Sequence, residues 1–221
     1  MKFKASQSED SGINLLTDDD LQVLSIGISS GGVAEIRMAN LNSNRKIIAT
    51  TIDQKGIDSA KKFIEEQKVQ DQIEVRLEDV SSKLPYSDSF FDFIYARLVL
   101  HYLSKDKLQS TLKELHRILK PSGKLYIVVR SINCDDAKRD TAVCDPETGL
   151  TSGTIFNEKD GTTYKYSRFF HTEESISKYV TEAGFKINYV KSYDENLYID
   201  FMRTKMANNT DNVIELQSEK I

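Results

Sequence analysis

Apolar strings of strand length recur along the chain from Leu21 onward, and stretches with helical spacing separate the early ones. The strings are LQVLSIGI, KIIATTI, IEVRL, FDFIYA, KLYIVV, FKINYV and LYIDFM. Strands that alternate with helices predict a parallel sheet covered on both faces. Only KSYDEN separates the last two strings, which is too short for a helical crossover, so these two strands should pair antiparallel. The pattern predicts a mostly parallel α/β sheet that ends in an antiparallel hairpin.

Two helices have clear boundaries in the pattern. The first spans residues 104–120, with Ser104 as its N-cap and Pro121 and Gly123 as its stop. Leucines recur within it at steps of three and four residues, at Leu108, Leu112, Leu115 and Leu119. The second helix should begin after Thr172, with two glutamates in its first turn, and end at Gly184.

The same pattern divides the chain into segments. Residues 1–20 read as a polar lead-in with a weak helix signal over 13–16, and residues 21–205 form the folded domain. Residues 131–171 interrupt the strand–helix rhythm and are predicted to be a lid insertion, with a hairpin turned at Lys159-Asp160-Gly161. Residues 206–221 read as a polar, loosely ordered tail.

Composition narrows the class of protein. The chain has 221 residues, 39% of them hydrophobic and 29% charged, which suits one globular domain. A net charge of -4 without a basic run argues against a binder of duplex DNA or of anionic membranes. No signal-peptide core and no membrane-spanning stretch stands out, so we expect a cytoplasmic protein. Two cysteines and three unpaired histidines offer no metal site.

Ligand-type residues follow successive strands. The first strand leads into the small-residue run from Ser25 to Gly32, the second ends at Asp53, the third at Asp79, and the fourth at Arg97. Each signal alone is weak, since the run could be a tight loop and Asp53 could cap the next helix. Because the carboxyl ends of parallel strands share one edge, the residues together predict a ligand site there.

The run DVSSKLPYSDSFFDFIYARLVLHYL, followed by LKELHRILKPSGKLYIVV, carries a more specific signal. Over residues 21–203 the chain resembles the class I S-adenosylmethionine-dependent methyltransferases. The resemblance implies a Rossmann-like, seven-stranded sheet ending in an antiparallel hairpin, with the LKPSG turn before the fifth strand. It also implies S-adenosylmethionine as the cofactor and S-adenosylhomocysteine as its product.

The resemblance assigns roles on the methionine side of the cofactor. Gly27, Ser29 and Gly31 would wrap the methionine part through backbone contacts. Arg97 and Leu98 would lie near the sulfonium and the methionine chain.

It also assigns roles on the adenosine side. Asp53 would bind the ribose hydroxyls, with Gln54 beside the adenine. Asp79 would meet the adenine amine, and the Val80 N–H would meet a ring nitrogen.

The first motif departs from the family pattern at two positions. An acidic residue is usual where Ser25 stands, and a glycine is usual where Ser29 stands. The usual acid helps to orient the cofactor's amino group, whereas Ser25 can form a hydrogen bond but supplies no charge. This departure motivates one alternative, a cofactor-binding domain without catalysis.

Candidate residues for the methyl acceptor follow the fourth and fifth strands. His101 is the candidate base, although it could simply pack in the turn, and Tyr102 could line the pocket beside it. Arg130 could hold an anionic substrate group or pair with the lid's own Asp135 or Asp136. Among the lid aromatics, Tyr166 is a candidate to close over the substrate.

These observations predict methyl transfer to a small-molecule acceptor, achieved mainly by positioning the acceptor in line with the sulfonium methyl. An RNA or protein methyltransferase of the same fold is a further alternative. We expect no membrane partner, no nucleic-acid partner, and a monomer or homodimer.

Overall fold

The structure, a computed structural model, describes residues 5–29, 31–157, 161–198 and 205–221. The strands of these residues are β1 (Gln22–Ile26), β2 (Lys46–Thr51), β3 (Ile73–Leu77), β4 (Phe91–Arg97), β5 (Leu119–Arg130), β6 (Val143–Cys144), β7 (Thr151–Asn157), β8 (Thr162–Arg168), β9 (Phe185–Tyr198) and β10 (Met206–Lys220). The α-helices are α1 (Gln7–Asn14), α2 (Val33–Leu41), α3 (Gln54–Glu66), α4 (Lys105–Ile118) and α5 (Glu173–Glu182).

The described strands form a seven-stranded sheet in the order β3-β2-β1-β4-β5-β10-β9. Strands β1 to β5 run parallel, and β10 is antiparallel to both β5 and β9. The predicted fold class, a mostly parallel sheet with an antiparallel hairpin at its end, is therefore confirmed. The strand order reverses at β1, which lies between β2 and β4, and open α/β sheets bind ligands at the carboxyl side of such a point.

Alternating side chains of the central strands fill two hydrophobic cores, one on each face of the sheet. In β1, Leu24 belongs to one core and Val23 to the other. Helices α4 and α5 cover the first core, for example through Leu112 and Ile176. Helices α1, α2 and α3 cover the second, where Ile36 is fully buried.

The two predicted helices are present, but the first ends earlier than expected. α4 stops at Ile118, and Leu119 and Lys120 already belong to β5. Leu119 is buried and pairs with Phe91 of β4, so strand pairing overrides the helical spacing there. LKPSG consequently lies inside β5 rather than before it. α5 begins as predicted, after Thr172, in a capping box with Ser175.

The N-terminal prediction was wrong. Residues 7–14 form α1, whereas the sequence suggested only a weak helix over 13–16 within a polar lead-in. Hydrophobic periodicity is poor here because the helix buries polar groups: Ser8 and Glu9 are both fully buried. The helix is held by hydrogen bonds from these side chains rather than by an apolar stripe.

The C-terminal boundaries were also wrong. KSYDEN is not a connection: β9 runs through it without a break to Tyr198. Its partner is β10, in the segment predicted to be a tail, and residues 199–202 of LYIDFM lie outside the described residues. β10 sits between β5 and β9, with Val213, Ile214 and Leu216 fully buried. The predicted string FKINYV forms the first part of β9. Polar side chains hid the rest of β9 and all of β10, because they pair with each other there, as in Tyr193 with Glu215 at 2.6 Å.

The insertion 131–171 contains a small sheet of its own, in the order β6-β7-β8 among the described residues. β7 and β8 pair antiparallel, which confirms the predicted hairpin, although Lys159 and Asp160 of its turn lie outside the described residues. The insertion is tied to the main domain by hydrogen bonds such as that from the Phe169 N–H to the His101 carbonyl oxygen, 2.7 Å. Its role as a lid stays a prediction.

Across the described part of the chain, no helix combines the length and the apolar character needed to span a membrane.

The placement of β10 can be tested with two isoleucines of the same segment. Replacing Ile214, which is fully buried, with alanine should lower the free energy of unfolding by about 2–5 kcal/mol, because it leaves a cavity in the core. Ile221 is 80% exposed, and its replacement with alanine should change that free energy by less than about 0.5 kcal/mol. Urea denaturation measures both. Equally small losses would contradict a buried C-terminal strand.

Candidate functional site

The turn after β1 is built for close backbone approach. Gly27 has a φ of 84°, and a Cβ on it would lie 3.0 Å from the side chain of Val99. The N–H groups of Gly27 and Ile28 both donate to the carbonyl oxygen of Thr50, which fixes the turn against β2. Helix α2 then starts after Gly32, also in the left-handed region. The turn and the helix N-terminus thus face the carboxyl edge of the sheet.

A buried carboxylate lies beside this turn. The Ser25 hydroxyl donates to Glu35 Oε1 at 2.5 Å, and the two residues are 1% and 4% exposed. Ser25 comes from β1 and Glu35 from the first turn of α2. The sequence analysis singled out Ser25 and missed Glu35. The available signal was an acidic residue in the first turn of the helix that follows the glycine run.

A cavity of about 360 Å³ opens between the turn and the ends of β4, β5 and β9. Eight predicted site residues line it: Ser25, Gly27, Ser29, Arg97, Leu98, His101, Tyr102 and Arg130. Seven residues that the sequence analysis did not single out complete the lining: Glu9, Ile26, Ala34, Glu35, Tyr95, Leu197 and Tyr198. Residues near the N-terminus (Glu9) and in the C-terminal part of the chain (Leu197 and Tyr198) therefore line the cavity together with the predicted residues at the carboxyl ends of the strands.

The residues predicted for adenosine lie at the same edge but outside this cavity. Asp53 is exposed and caps α3, where its Oδ1 accepts from the Lys55 N–H at 3.0 Å. The alternative role of Asp53 as a helix cap is therefore real, although one such bond leaves a carboxylate able to accept others. Gln54 is exposed.

The rest of the predicted adenosine side follows β3. Asp79 is exposed, with its Oδ1 accepting from the Ser81 N–H at 2.8 Å. Val80 is buried, and its carbonyl oxygen accepts from the Thr111 hydroxyl. Gly31, predicted on the methionine side, is buried and does not line the cavity.

Arg97 joins the cavity to the N-terminal helix. Its guanidinium donates to Ser6 Oγ at 2.5 Å and to Ser8 Oγ at 2.7 Å, and it pairs with Glu195 of β9. Burial alone would lower the pKa of Arg97, but the neighbouring Tyr95, Glu195 and Glu9 raise it above its usual value. Arg97 thus stays charged while it faces the cavity.

Leu98 follows with a backbone conformation that is rare for its residue type. Its φ is 55°, in the left-handed region, and its N–H donates to the Val128 carbonyl oxygen at 2.8 Å. The peptide at the carboxyl end of β4 is therefore turned and fixed where the cavity begins.

His101 is a buried imidazole that lines the cavity. It is 1% exposed, and neither ring nitrogen has a hydrogen-bond partner among the described residues. Burial, together with the charges of Arg130 and Arg168, holds its pKa well below its usual value, with His171 acting in the same direction. At neutral pH the ring is uncharged, and its free electron pair is available to a ligand.

Arg130 lines the cavity, and of its two alternative roles the ion pair with Asp135 or Asp136 was wrong. Its guanidinium forms an ion pair with Asp211 of β10. The sequence analysis missed this partner because it predicted that residues 206–221 are a loosely ordered tail. Asp136 pairs instead with Arg139, at 2.9 Å, and with Arg168. Burial and then Arg168 lower the pKa of Arg130.

The two tyrosines that were predicted to contact the substrate, Tyr166 and Tyr102, lie in different places. Tyr166 is buried in the insertion, where its hydroxyl donates to the Asp136 carbonyl oxygen at 2.5 Å, so the structure does not bring it to the cavity. Tyr102, by contrast, is 56% exposed and lies under Arg168, 5.9 Å from ring centroid to guanidinium carbon. Arg168 was missed because no local pattern marks it. Within the described ranges, no three histidine, cysteine or acidic side chains cluster as metal ligands.

Comparisons with known proteins agree with this geometry. A family model described as a methyltransferase domain matches residues 24–127, which hold most of β1, all of β2 to β4 and α2 to α4, and most of β5. A SAM-dependent methyltransferase from Methanosarcina mazei has a similar structure, with a TM-score of 0.73, 24% identity, and coverage of 94% of this chain and 95% of that chain.

Two curated relatives match shorter segments. A sterol 4-C-methyltransferase from Caenorhabditis elegans is 30% identical over 122 residues, 55% of this chain. An uncharacterized methyltransferase from Synechocystis sp. is 27% identical over 73 residues, 33% of this chain. The match spans about a third, 34%, of the length of each of these relatives.

The buried histidines predict a loss of stability in mild acid. Burial lowers the pKa of His171 to about 4, and that of His101 is also depressed. In the unfolded chain both histidines have a pKa near 6.5. Their contribution to the free energy of unfolding is therefore complete above that pH and falls as the pH drops from about 6.5 toward 4. The slope is at most about 1.4 kcal/mol per pH unit for each histidine.

Denaturant titration of the wild type and of His171→Asn at pH 7, 6 and 5 measures this effect. The free energy of unfolding should fall less steeply with decreasing pH in the variant than in the wild type. The NMR shifts of the histidine rings provide a second measurement that needs no variant. Rings of His101 and His171 that titrate near pH 6.5 in the folded protein would contradict the burial described above.

Proposed function

We propose that this chain is a class I S-adenosylmethionine-dependent methyltransferase that transfers the methyl group of that cofactor to a small-molecule acceptor, because residues 24–127 match a methyltransferase-domain model and the fold is similar to that of a SAM-dependent methyltransferase. One observation carries the proposal. A single cavity extends from the glycine turn after β1 to an uncharged, buried imidazole, His101, with no hydrogen-bond partner in the described part of the chain. Such a cavity offers a cofactor end and an acceptor end within one enclosure.

The residues present fit the proposed cofactor. Gly27 holds a turn that any side chain would crowd, which permits the close backbone approach that the methionine part requires. Glu9 and Glu35 both line this cavity, and their carboxylates suit the positive charges of an ammonium and a sulfonium. Asp53 is exposed at the end of β2 and can accept hydrogen bonds from a ribose diol.

The cofactor supplies an activated methyl group on a sulfonium, so the protein has mainly to position the acceptor and exclude water. Leu98 presents a fixed, turned backbone to the cavity. His101, which is uncharged, takes the proton that an O–H or N–H acceptor releases when it is methylated. Tyr102 and Tyr198 line the cavity near this point and limit its width.

The acceptor end favours an anionic molecule. Arg130 lines the cavity, and Arg168 is close enough for its charge to lower the pKa values of both Arg130 and His101. An anionic group beside these arginines would offset part of their field and raise the pKa of His101. Binding of such an acceptor would therefore make His101 a stronger base at the moment it is needed.

The size of the cavity supports a small molecule over a macromolecule. Its volume of about 360 Å³ lies in the range of small-molecule sites, about 300–1,000 Å³. The C. elegans relative is named for a sterol, so a sterol is one compound to include in an acceptor panel. The charged lining leads us to expect that polar, anionic acceptors will react faster than sterols.

The proposal is tested by following a labelled methyl group. Purified protein is incubated with methyl-labelled S-adenosylmethionine and a cell extract, and the label is then separated into molecules below about 1 kDa, RNA and protein. We expect label in the small-molecule fraction together with equimolar S-adenosylhomocysteine. Label in RNA or protein would show that the acceptor is a macromolecule and would contradict a small-molecule acceptor. An absence of label despite cofactor binding would favour a binding domain without catalysis.

His101→Ala sharpens this experiment. If His101 accepts the acceptor's proton, the variant should lose about a hundredfold or more in turnover while its affinity for S-adenosylhomocysteine stays unchanged. An unaltered rate would assign His101 a packing role, which was the alternative left open by the sequence.

Asp53 provides a separate test of the cofactor assignment. Asp53→Asn should weaken S-adenosylhomocysteine binding about tenfold or more, because a charge-assisted bond to the ribose is lost. Asparagine remains a good N-cap, so α3 should keep its stability. Calorimetric titration measures the affinity. Asp58→Asn, an exposed acid in the same helix, is the matched control and should bind like the wild type; equal affinities for all three proteins would exclude Asp53 from the site.

A further inference from the structure

The acidic residue that the first motif lacks is supplied from a different element. Ser25, at the family's usual acid position, is neutral, but its hydroxyl donates to Glu35 Oε1 at 2.5 Å. We propose that Glu35 carries the negative charge that binds the α-amino group of the cofactor, and that Ser25 holds its carboxylate in place. The inference rests on the proposed function, since it concerns how the same cofactor is bound.

The position of Glu35 supports this role. It is the third residue of α2, and both it and its neighbour Ala34 line the cavity. Its hydrogen bond crosses from the helix to β1, so the carboxylate is directed to the place where a strand-borne acid would stand. An ammonium group in this part of the cavity would therefore meet a carboxyl group in place of a hydroxyl.

Other charged side chains line the same cavity. Glu9 also lines the cavity, but its Oε1 accepts from Arg37 Nη1 at 2.8 Å, which shares its charge with a guanidinium of α2. Arg97 brings a positive charge to the same cavity. A carboxylate and a guanidinium on one cavity wall complement the ammonium and carboxylate of an α-amino acid, which is the chemistry of the cofactor's methionine end.

Three variants separate the charge from the hydrogen bond. Glu35→Gln removes the charge but keeps an oxygen that can accept from Ser25. Ser25→Ala keeps the charge and removes the hydrogen bond. The double variant Ser25→Asp with Glu35→Gln returns a carboxylate to the strand position.

The affinity for S-adenosylhomocysteine is measured by calorimetry for each protein. The affinity for 5′-methylthioadenosine, which lacks the amino-acid part, is measured by competition against S-adenosylhomocysteine. Glu35→Gln should bind S-adenosylhomocysteine about tenfold to a hundredfold more weakly and bind 5′-methylthioadenosine as the wild type does. Ser25→Ala should lose less than Glu35→Gln, and the double variant should recover a large part of the loss.

Two results would overturn the inference while the proposed function stands. One is a wild type that binds S-adenosylhomocysteine and a Glu35→Gln variant that binds it within about twofold. The other is a Glu35→Gln variant that loses affinity for both ligands equally with no recovery in the double variant, which would mean a structural role. A wild type that binds neither ligand at millimolar concentration would instead contradict the proposed function itself.

Discussion

The antiparallel pairing of β10 with both β5 and β9 is the interaction on which the rest of the site depends. Through this one strand, β9 is held in the sheet although it has no direct pairing with β5. β9 then brings Glu195 to Arg97 and Tyr198 to the cavity, and β10 itself brings Asp211 to Arg130. The parallel strands supply the residues that were expected at the carboxyl edge of the sheet. The antiparallel strands supply the further residues that line the cavity or pair with its charged side chains.

Ser8 makes several of the hydrogen bonds that attach the N-terminal helix to the same framework. Ser8 donates to Glu195 from its backbone N–H and from its hydroxyl, and its hydroxyl accepts from Arg97. The Tyr126 hydroxyl of β5 donates to the Ser8 carbonyl oxygen. These bonds join residues 89 to 187 positions apart in the chain, so they form only once the sheet is complete. Because every polar group of this residue is engaged, the helix can remain buried with little apolar surface.

The sequence predicted the elements that are marked by local hydrophobic patterns, and it missed those that are held by polar contacts between residues far apart in the chain. Residues at the ends of β1 to β4 follow directly from strand periodicity, which is why Gly27, Asp53 and Asp79 were placed at the correct edge. The first six residues of β9, FKINYV, were predicted as a strand. In the rest of β9 and in β10, polar side chains pair with each other, so neither hydrophobic period nor turn residues mark these segments. The partner of Arg130, at position 211, could not be inferred because its segment carried no strand signal.

The backbone of Leu98 has a consequence for how a ligand is received. A left-handed conformation costs a residue with a β-carbon about 1 kcal/mol or more, and here it is imposed by the pairing of β4 with β5. The strain is present before any molecule enters, so a ligand that contacts this peptide does not have to reorganise it. Part of the free energy of folding is in this way stored as preorganisation of the backbone that lines the cavity at Leu98.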